Sequence, residues 1–388
     1  MAIAPKAASS AVVAGGGIGG LACAVALRRA GLDVTVLEQA PAFEEVGAGL
    51  QLTPNATRIL REFGLLPALE AVAVAPEALE VRDGQSGRLI ASAPYAPATE
   101  RYDAPFLVAH RADLLRVLAD GATALGTRFE LDAAVEGVEV SEDMAVALAT
   151  RDGEPLLVKG DILVGADGVR SVVRAQLGGS ATPVFAGRLA YRAICPSKPT
   201  PHPVVRLYLG ADAHLVTYPV RGGVTTNIVA VVKMDSPVAR WSEPGEASTV
   251  HAAFAGWCRE VRDLLAAAEA YRCWGLYDLD PLPRWGMGRA TLLGDAAHAM
   301  LPFLAQGAAQ AIEDAAILAR TLAGADAAEP ALRAYETARR PRTARIQKEA
   351  RTSGGIYHLA GPARLARDAV ISLTGSHLLD RYSWLYEG

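Results

Sequence analysis

The chain has 388 residues, enough for two domains or for one large fold with an inserted substructure, and 51% of them are hydrophobic, enough for a sizeable core. A formal net charge of −4 leaves no basic surplus to neutralise phosphates, which argues against a nucleic-acid partner. Cys23, Cys195, Cys258 and Cys273 are scattered without CxxC spacing, so the pattern fits neither a disulfide framework nor a structural zinc site, and buried thiols in a reducing compartment are the simpler reading.

The opening "MAIAPKAASS" is too short and polar for a secretory signal, and no apolar run approaches ~20 residues. A cytoplasmic protein without a membrane span is expected. Residues 11–14 form a short apolar run that ends in "GGGIGG", Gly15 to Gly20. "LACAVALRRAG" follows, apolar at helical spacing and stopped by Gly31, and then the β-branched run "DVTVLEQ". Strand, glycine turn, helix and strand make one βαβ unit. From about Val72 to Pro105 the pattern breaks into short runs with Pro and Gly. "PFLVAHRADLLRVLADGA" then reads as a strand followed by a helix, and "DILVGADGVRSVVRAQLG" repeats that grammar. Between about Pro183 and Leu282, alternating runs such as "HLVTYPV" and "TTNIVAVV" predict antiparallel strands. After Pro283 the α/β grammar returns with "ATLLGD" and a long helix beginning near Gly307.

The expected fold is α/β: a Rossmann-like dinucleotide domain interrupted by a mostly antiparallel β-sheet substrate domain, with a helical C-terminus. The dinucleotide domain is assigned to 1–75, 105–182 and 283–350, the substrate domain to 76–104 and 183–282, and the helical tail to 351–388.

In the first turn, Gly15 permits the tight bend, Gly17 lets the backbone approach a pyrophosphate, and Gly20 lets helix and strand pack closely. The helix start at Ile18 and Gly19 supplies N–H groups and a positive dipole end to phosphates. Glu38 ends the second strand 18 residues after Gly20, where an acid accepts hydrogen bonds from a ribose. Only one such fingerprint is present. Arg111 at a strand end, Asp167 in a glycine turn and Asp295 at another strand end are arranged as if around a single long cofactor.

With these motifs the chain resembles the single-component flavoprotein aromatic hydroxylases, the group typified by 4-hydroxybenzoate hydroxylase. "GGGIGG", "GADG" at 165–168 and "GDAAHAMLPFLAQGA" at 294–308 occur in the family's order, and the resemblance spans nearly the whole chain. "GAGLQLTPNA", "YPVRGG" and "IYHLAGPARLARD" place it nearest the branch of salicylate hydroxylase, 3-hydroxybenzoate 6-hydroxylase and 6-hydroxynicotinate monooxygenase. Gln51 stands where the hydroxynicotinate enzymes carry a histidine, which weakens that option.

The resemblance implies FAD, bound non-covalently, with NAD(P)H as a transient co-substrate and O2. Gly15, Gly17, Ile18, Gly19, Gly20, Glu38 and its neighbour Gln39 would hold one end of the cofactor, with Arg111, Gly294 and Asp295 continuing along it. Asp167 would face both the FAD and the approach of NAD(P)H. The helix N-terminus at Gly307 and Ala308 would meet the flavin's pyrimidine end, where the positive dipole stabilises a reduced ring. Pro302 and Phe303 would form an apolar wall that helps exclude water.

A DxxH pair such as Asp295 and His298 cannot hold a metal, which needs three or four ligands, so His298 reads as scaffold and no metal is expected. On the substrate side, strand alternation puts His214, Val216 and Tyr218 on one face. An electrophilic hydroxylation needs an electron-rich ring, and His214 or Tyr218 would draw a phenol toward phenolate, directly or through a relay. Gln306, in the "AQG" motif, is a third catalytic candidate, with Gln51, Val216, Pro302 and Phe303 as pocket residues. Tyr191 and Arg192 are a further candidate pair for a carboxylate, and "RYSWLY" reads as packing or a dimer contact.

The resulting expectation is an FAD-dependent monooxygenase that hydroxylates a small phenolic or aromatic acid, of salicylate or hydroxybenzoate type, through a flavin C4a-hydroperoxide. A hydroxylase of an N-heteroaromatic acid, a flavin oxidase or reductase, and a flavin-binding redox sensor are the alternatives. A monomer or homodimer is expected.

Overall fold

The structure is a computed structural model that describes residues 7–43, 49–178, 181–236 and 243–387. The N-terminal residues 1–6 and the first two residues of the "GAGLQLTPNA" motif lie outside that set.

A five-stranded parallel sheet carries the first βαβ unit. Its order is Ala290–Leu292, Ile162–Gly165, Ser10–Ala14, Asp33–Leu37 and Arg128–Glu130. The three inner strands are almost wholly apolar because helices cover the sheet, as a parallel sheet requires. The helix Ile18–Arg29 buries nine of its residues and is followed by Gly31 at φ +85°, a left-handed position that suits glycine. It packs closely on the helix Gly307–Ala323: a Cβ added at Gly19 would lie 3.2 Å from Ala311 Cβ.

The second unit is an eight-stranded sheet, in the order Glu243–Gly245, Tyr271–Asp278, Val184–Pro196, Thr225–Lys233, Ala213–Val220, Val204–Leu209, Ala78–Asp83 and Leu89–Pro94. "HLVTYPV" and "TTNIVAVV" pair antiparallel, Val216 opposite Val229 and Tyr218 opposite Asn227. One pairing departs from the antiparallel pattern: Val204–Leu209 runs parallel to Ala78–Asp83. Those residues come from either side of the second α/β segment, so no hairpin constrains their direction. A three-stranded sheet, 133–160, and the pair Gly49–Leu52 with Leu107–His110 complete the strands.

The expected helix after "GADG" is short, Val172–Gln176, because the turn before it is extended by Val169–Ser171. From Asp295 onward the ordered elements are helical, led by Ala328–Tyr357 and Gly361–Thr374. "RYSWLY" packs inward: Tyr386 lies edge-on to Phe106, and the Arg345 guanidinium sits 3.6 Å over the Trp384 ring. Among the described residues no helix is long and apolar enough to cross a membrane.

Candidate functional site

The carboxyl ends of the parallel strands face one side of the eight-stranded sheet across a cavity of about 290 Å³. Gly17 to Gly19, Ala166, Gly168, Leu293, Gly294 and Asp295 border it from the first side. Arg192, His214, Val216, Tyr218, Val229 and Val231 border it from the second. Ligands of open α/β sheets bind outside the carboxyl ends of the strands, so the topology puts the cavity where a cofactor is expected.

The glycine turn is fixed by backbone geometry. Gly15 has φ +106°, and a Cβ there would come within 2.5 Å of the Ala166 carbonyl oxygen. A Cβ at Gly20 would lie 1.9 Å from the Gly15 carbonyl oxygen, so no other residue fits. Gly17 is different: nothing lies within 4 Å of its added Cβ, and as N-cap of the helix it offers no side chain to the first-turn N–H groups. Those donors are left for an anion.

Glu38 ends the second strand, and its carboxylate accepts N–H groups from Gly16 at 2.6 Å and Ala40 at 2.9 Å. That clamps the glycine turn while leaving lone pairs for ribose hydroxyls. Gln39, next to it, is exposed and does not border the cavity. Arg111 borders the cavity at the start of the helix Arg111–Ala124, which His110 caps through Nδ1. Asp295 is exposed toward the cavity, and its Oδ1 lies 3.9 Å from an added Gly307 Cβ. Gly307 and Ala308 complete that wall. An uncapped helix start and the Arg111 guanidinium as donors, with the Glu38 and Asp295 carboxylates as acceptors, fit FAD.

At three expected residues the side chain is engaged by the protein itself. Asp167 accepts from Ser171 Oγ at 2.5 Å and from the Val173 N–H at 3.1 Å, so its carboxylate caps the short helix, while its neighbours Ala166 and Gly168 border the cavity. Phe303 is absent from the cavity lining. It stands edge-on to His214 at 5.4 Å and forms part of an adjoining apolar cavity of about 180 Å³, whereas Pro302 borders both. Gln306 touches the cavity but is 1% exposed, and its amide is engaged on both sides: Nε2 donates to Thr53 Oγ1, and Oε1 accepts from Asn55 and Gln310. As N-cap of the long helix it turns its side chain toward Thr53 and Asn55, at the start of the neighbouring helix.

The substrate-side residues form cross-strand rows. Arg192, Val229 and Val216 are in register across three strands, and Val231 with His214 forms the next row. Tyr191, the other half of the expected pair, points to the opposite face, as strand alternation dictates, and packs in the sheet's own core. Arg192 borders the cavity, and its guanidinium lies 5.4 Å from the Trp274 ring centroid.

His214 is 3% exposed, and burial, then His358 and Arg188, holds its imidazole well below the ordinary range, so it is neutral at pH 7. Burial pushes the Tyr218 phenol upward, with Arg192 opposing, so Tyr218 stays protonated. Gln51 and Val216 border both cavities. His298 bonds through Nε2 to Asp314 Oδ2 at 2.6 Å, beside the Trp285 ring. Among the described residues no group of three or more His, Cys, Asp or Glu could hold a metal ion, and the four cysteines are free thiols.

Sequence reasoning missed Val229 and Val231, and His358, whose Nε2 lies 2.9 Å from His214 Nδ1. Strand alternation in "TTNIVAVV" would have found the valines; a histidine 144 residues away carries no local signal.

Comparison with known proteins gives the class. The family described as FAD binding domain matches residues 8–350. A 3-amino-4-hydroxybenzoate 2-monooxygenase from Streptomyces platensis is 40% identical, covering 96% of this chain and 94% of that one. A 3-hydroxybenzoate 6-hydroxylase from Polaromonas naphthalenivorans is 37% identical, covering 97% and 95%. Among solved structures, a salicylate hydroxylase substrate complex superposes with TM-score 0.82 at 26% identity, over 99% and 96% of the two chains. Klebsiella pneumoniae HpxO complexed with FAD and uric acid gives 0.86 at 25%, over 96% and 95%. The chain belongs to the FAD binding domain family of aromatic hydroxylases. It is an FAD-dependent aromatic monooxygenase.

Proposed function

We propose that this chain hydroxylates a small phenolic aromatic acid of the hydroxybenzoate type, consuming NAD(P)H and O2. The observation that carries the reading is one cavity face bearing a cation, an apolar floor, a neutral imidazole and a neutral phenol: Arg192, Val216 with Val229, His214 and Tyr218. Relatives named for 3-amino-4-hydroxybenzoate and 3-hydroxybenzoate support the same substrate class.

Bound FAD supplies the redox chemistry, taking electrons from NAD(P)H and activating O2. The protein's part is position, charge and dryness. Arg192 is the anchor for a ring carboxylate. Val216, Val229 and Val231 hold the ring by apolar contact, and Pro302 keeps that edge of the cavity dry. Neutral His214 accepts the hydrogen bond of the substrate hydroxyl and draws its proton away, which makes the ring electron-rich. A developing phenolate beside the imidazole raises the imidazole's affinity for that proton, so the low resting pKa does not prevent the transfer. Tyr218 donates to the same oxygen or to the carboxylate.

A screen of hydroxylated aromatic acids for stimulated NAD(P)H oxidation, with products identified, tests the reading. Hydroxylated product from at least one acid is expected; hydrogen peroxide alone from all of them would sink it. With an active acid in hand, Tyr218→Phe should lower hydroxylation about tenfold or more while FAD stays bound. Unchanged turnover would remove Tyr218 from the site.

A further inference from the structure

We propose that His358 is a positioning residue: it fixes His214 in the tautomer that carries its proton on Nδ1 and presents a bare Nε2 to the substrate cavity. The proposal rests on the reading of His214 as the group that accepts the substrate's proton.

The chain of bonds starts at the main chain. His358 caps the C-terminus of the long helix Ala328–Tyr357, where carbonyls lack intrahelical partners. Its Nδ1 lies 2.6 Å from the Gly354 carbonyl oxygen. A carbonyl oxygen only accepts, so Nδ1 of His358 carries a hydrogen. The other nitrogen, Nε2, lies 2.9 Å from His214 Nδ1. One hydrogen serves that contact. Burial, then Arg188, lowers His358 to about 4, with the Gly354 carbonyl and Asp212 opposing and Arg367 adding to the depression. His358 is therefore neutral near pH 7 and its Nε2 is a lone pair. The shared hydrogen belongs to His214 Nδ1, and His214 Nε2 is left bare.

The surroundings hold both rings in that geometry. Phe303 and Tyr357 stand edge-on to His214 at 5.4 and 5.5 Å, and the Tyr357 hydroxyl donates to the Phe303 carbonyl at 2.9 Å. Gly354 serves twice, accepting from His358 and letting the helix approach Phe303: a Cβ there would lie 2.5 Å from the ring. The motif "IYHLAGPARLARD" thereby gains a role, since its histidine reaches the cavity through His214.

In the reaction the substrate O–H bond breaks, its electron pair stays on oxygen, and an N–H bond forms at His214 Nε2. His214 becomes an imidazolium whose Nδ1–H still donates to His358, now as a charge-assisted bond. With no acceptor at position 358, His214 samples the tautomer whose Nε2–H cannot take the proton, as happens when the orienting group of a catalytic histidine is altered.

The experiment uses the FAD-loaded protein with 15N-labelled histidine, the resonances assigned with His214→Phe and His358→Leu. His214 is expected to have a protonated Nδ1 and a bare Nε2; a protonated Nε2 on neutral His214 overturns the proposal. In parallel, with an acid found active in the screen, His358→Leu should lower kcat for hydroxylated product about tenfold, within the range seen for outer partners of ligating histidines. KM and FAD content should hold, and His358→Gln, which restores an acceptor, should recover most of the loss. Equal kcat in His358→Leu and the parent, or no recovery with Gln, also overturns it. If His358→Leu fails to fold, the tautomer spectrum of the parent and the kcat of His358→Gln decide. Failure of the underlying reading is separate: His214→Phe would then retain coupled hydroxylation whatever the spectrum shows.

Discussion

Two histidines of this molecule are almost equally buried, His298 at 1% and His214 at 3%, yet their surroundings differ in kind. His298 belongs to a polar network beneath the helix Gly307–Ala323. Asp314 takes His298 and the Gly294 N–H on one oxygen and Arg339 on the other. Glu313 takes Arg339, Arg342, Asn55 and Gln310. Apart from His298 Nδ1, which has no hydrogen-bond partner among the described residues, the charged groups of the network meet one another. His214 belongs to a sparse chain, Gly354 to His358 to His214, which ends on a cavity. A polar cluster whose groups satisfy one another holds a scaffold; one that ends on open space has a group left over for chemistry.

The largest expected effect breaks the closed network. Arg339→Ala leaves two carboxylates in the interior with their principal cation gone, since Glu313 retains Arg342 but Asp314 retains only His298 and the Gly294 N–H. Breaking a buried pair in this way costs about 3–5 kcal/mol. Urea unfolding should shift by that amount, and a change below about 1 kcal/mol would mean the network relaxes or admits water.

Next in size is Gln306→Leu, which asks to which region Gln306 belongs. Thr53, Asn55 and Gln310 would each lose a partner, at a cost of about 1–3 kcal/mol. If Gln306 is scaffold, stability falls while the yield of hydroxylated product per NAD(P)H is retained. The reverse, unchanged stability with poor coupling, would restore the catalytic role that its place in "AQG" first implied.

The same contrast explains what could be read in the sequence. The cofactor side was legible because its constraints are local. Gly20 is dictated by a backbone that touches itself within five residues, Gly15 by the positive φ of the turn, and Glu38 by the end of one strand. His214, Val216 and Tyr218 were legible for the same reason, since alternation along one strand fixes a shared face. For Gln306, Asp167 and Phe303 the motif gives a residue's place along the chain but not the direction of its side chain. That direction was set by Thr53, by Ser171 and by the His214 ring. The Arg339–Asp314 and His358–His214 pairings left no local trace: the partners lie 25 and 144 residues apart, and only tertiary packing brings them together.

The smallest effect at pH 7 separates the two regions by titration. His358→Gln exchanges one hydrogen-bonding group for another and should cost no more than about 1 kcal/mol there. The difference grows in the opposite sense as pH falls. The folded pKa of His358 is depressed to about 4 from an ordinary 6.5, and that of His214 lies well below 6.5. The unfolded chain therefore takes up these protons first, so stability is complete above about 6.5 and is lost as pH falls toward about 4. Asp314, depressed to about 2 from 3.8, is fully stabilising above 3.8 and loses its contribution only as pH falls from there toward about 2. His110, also depressed by burial, remains in the variant, so the slope below pH 6.5 should shrink without vanishing. Measured by urea unfolding across the range, His358→Gln should lose less stability than the parent between pH 6.5 and 4 and run parallel to it below. Parallel curves throughout would mean that His358 binds its proton equally well in the folded and unfolded chain, so that burial does not hold it neutral.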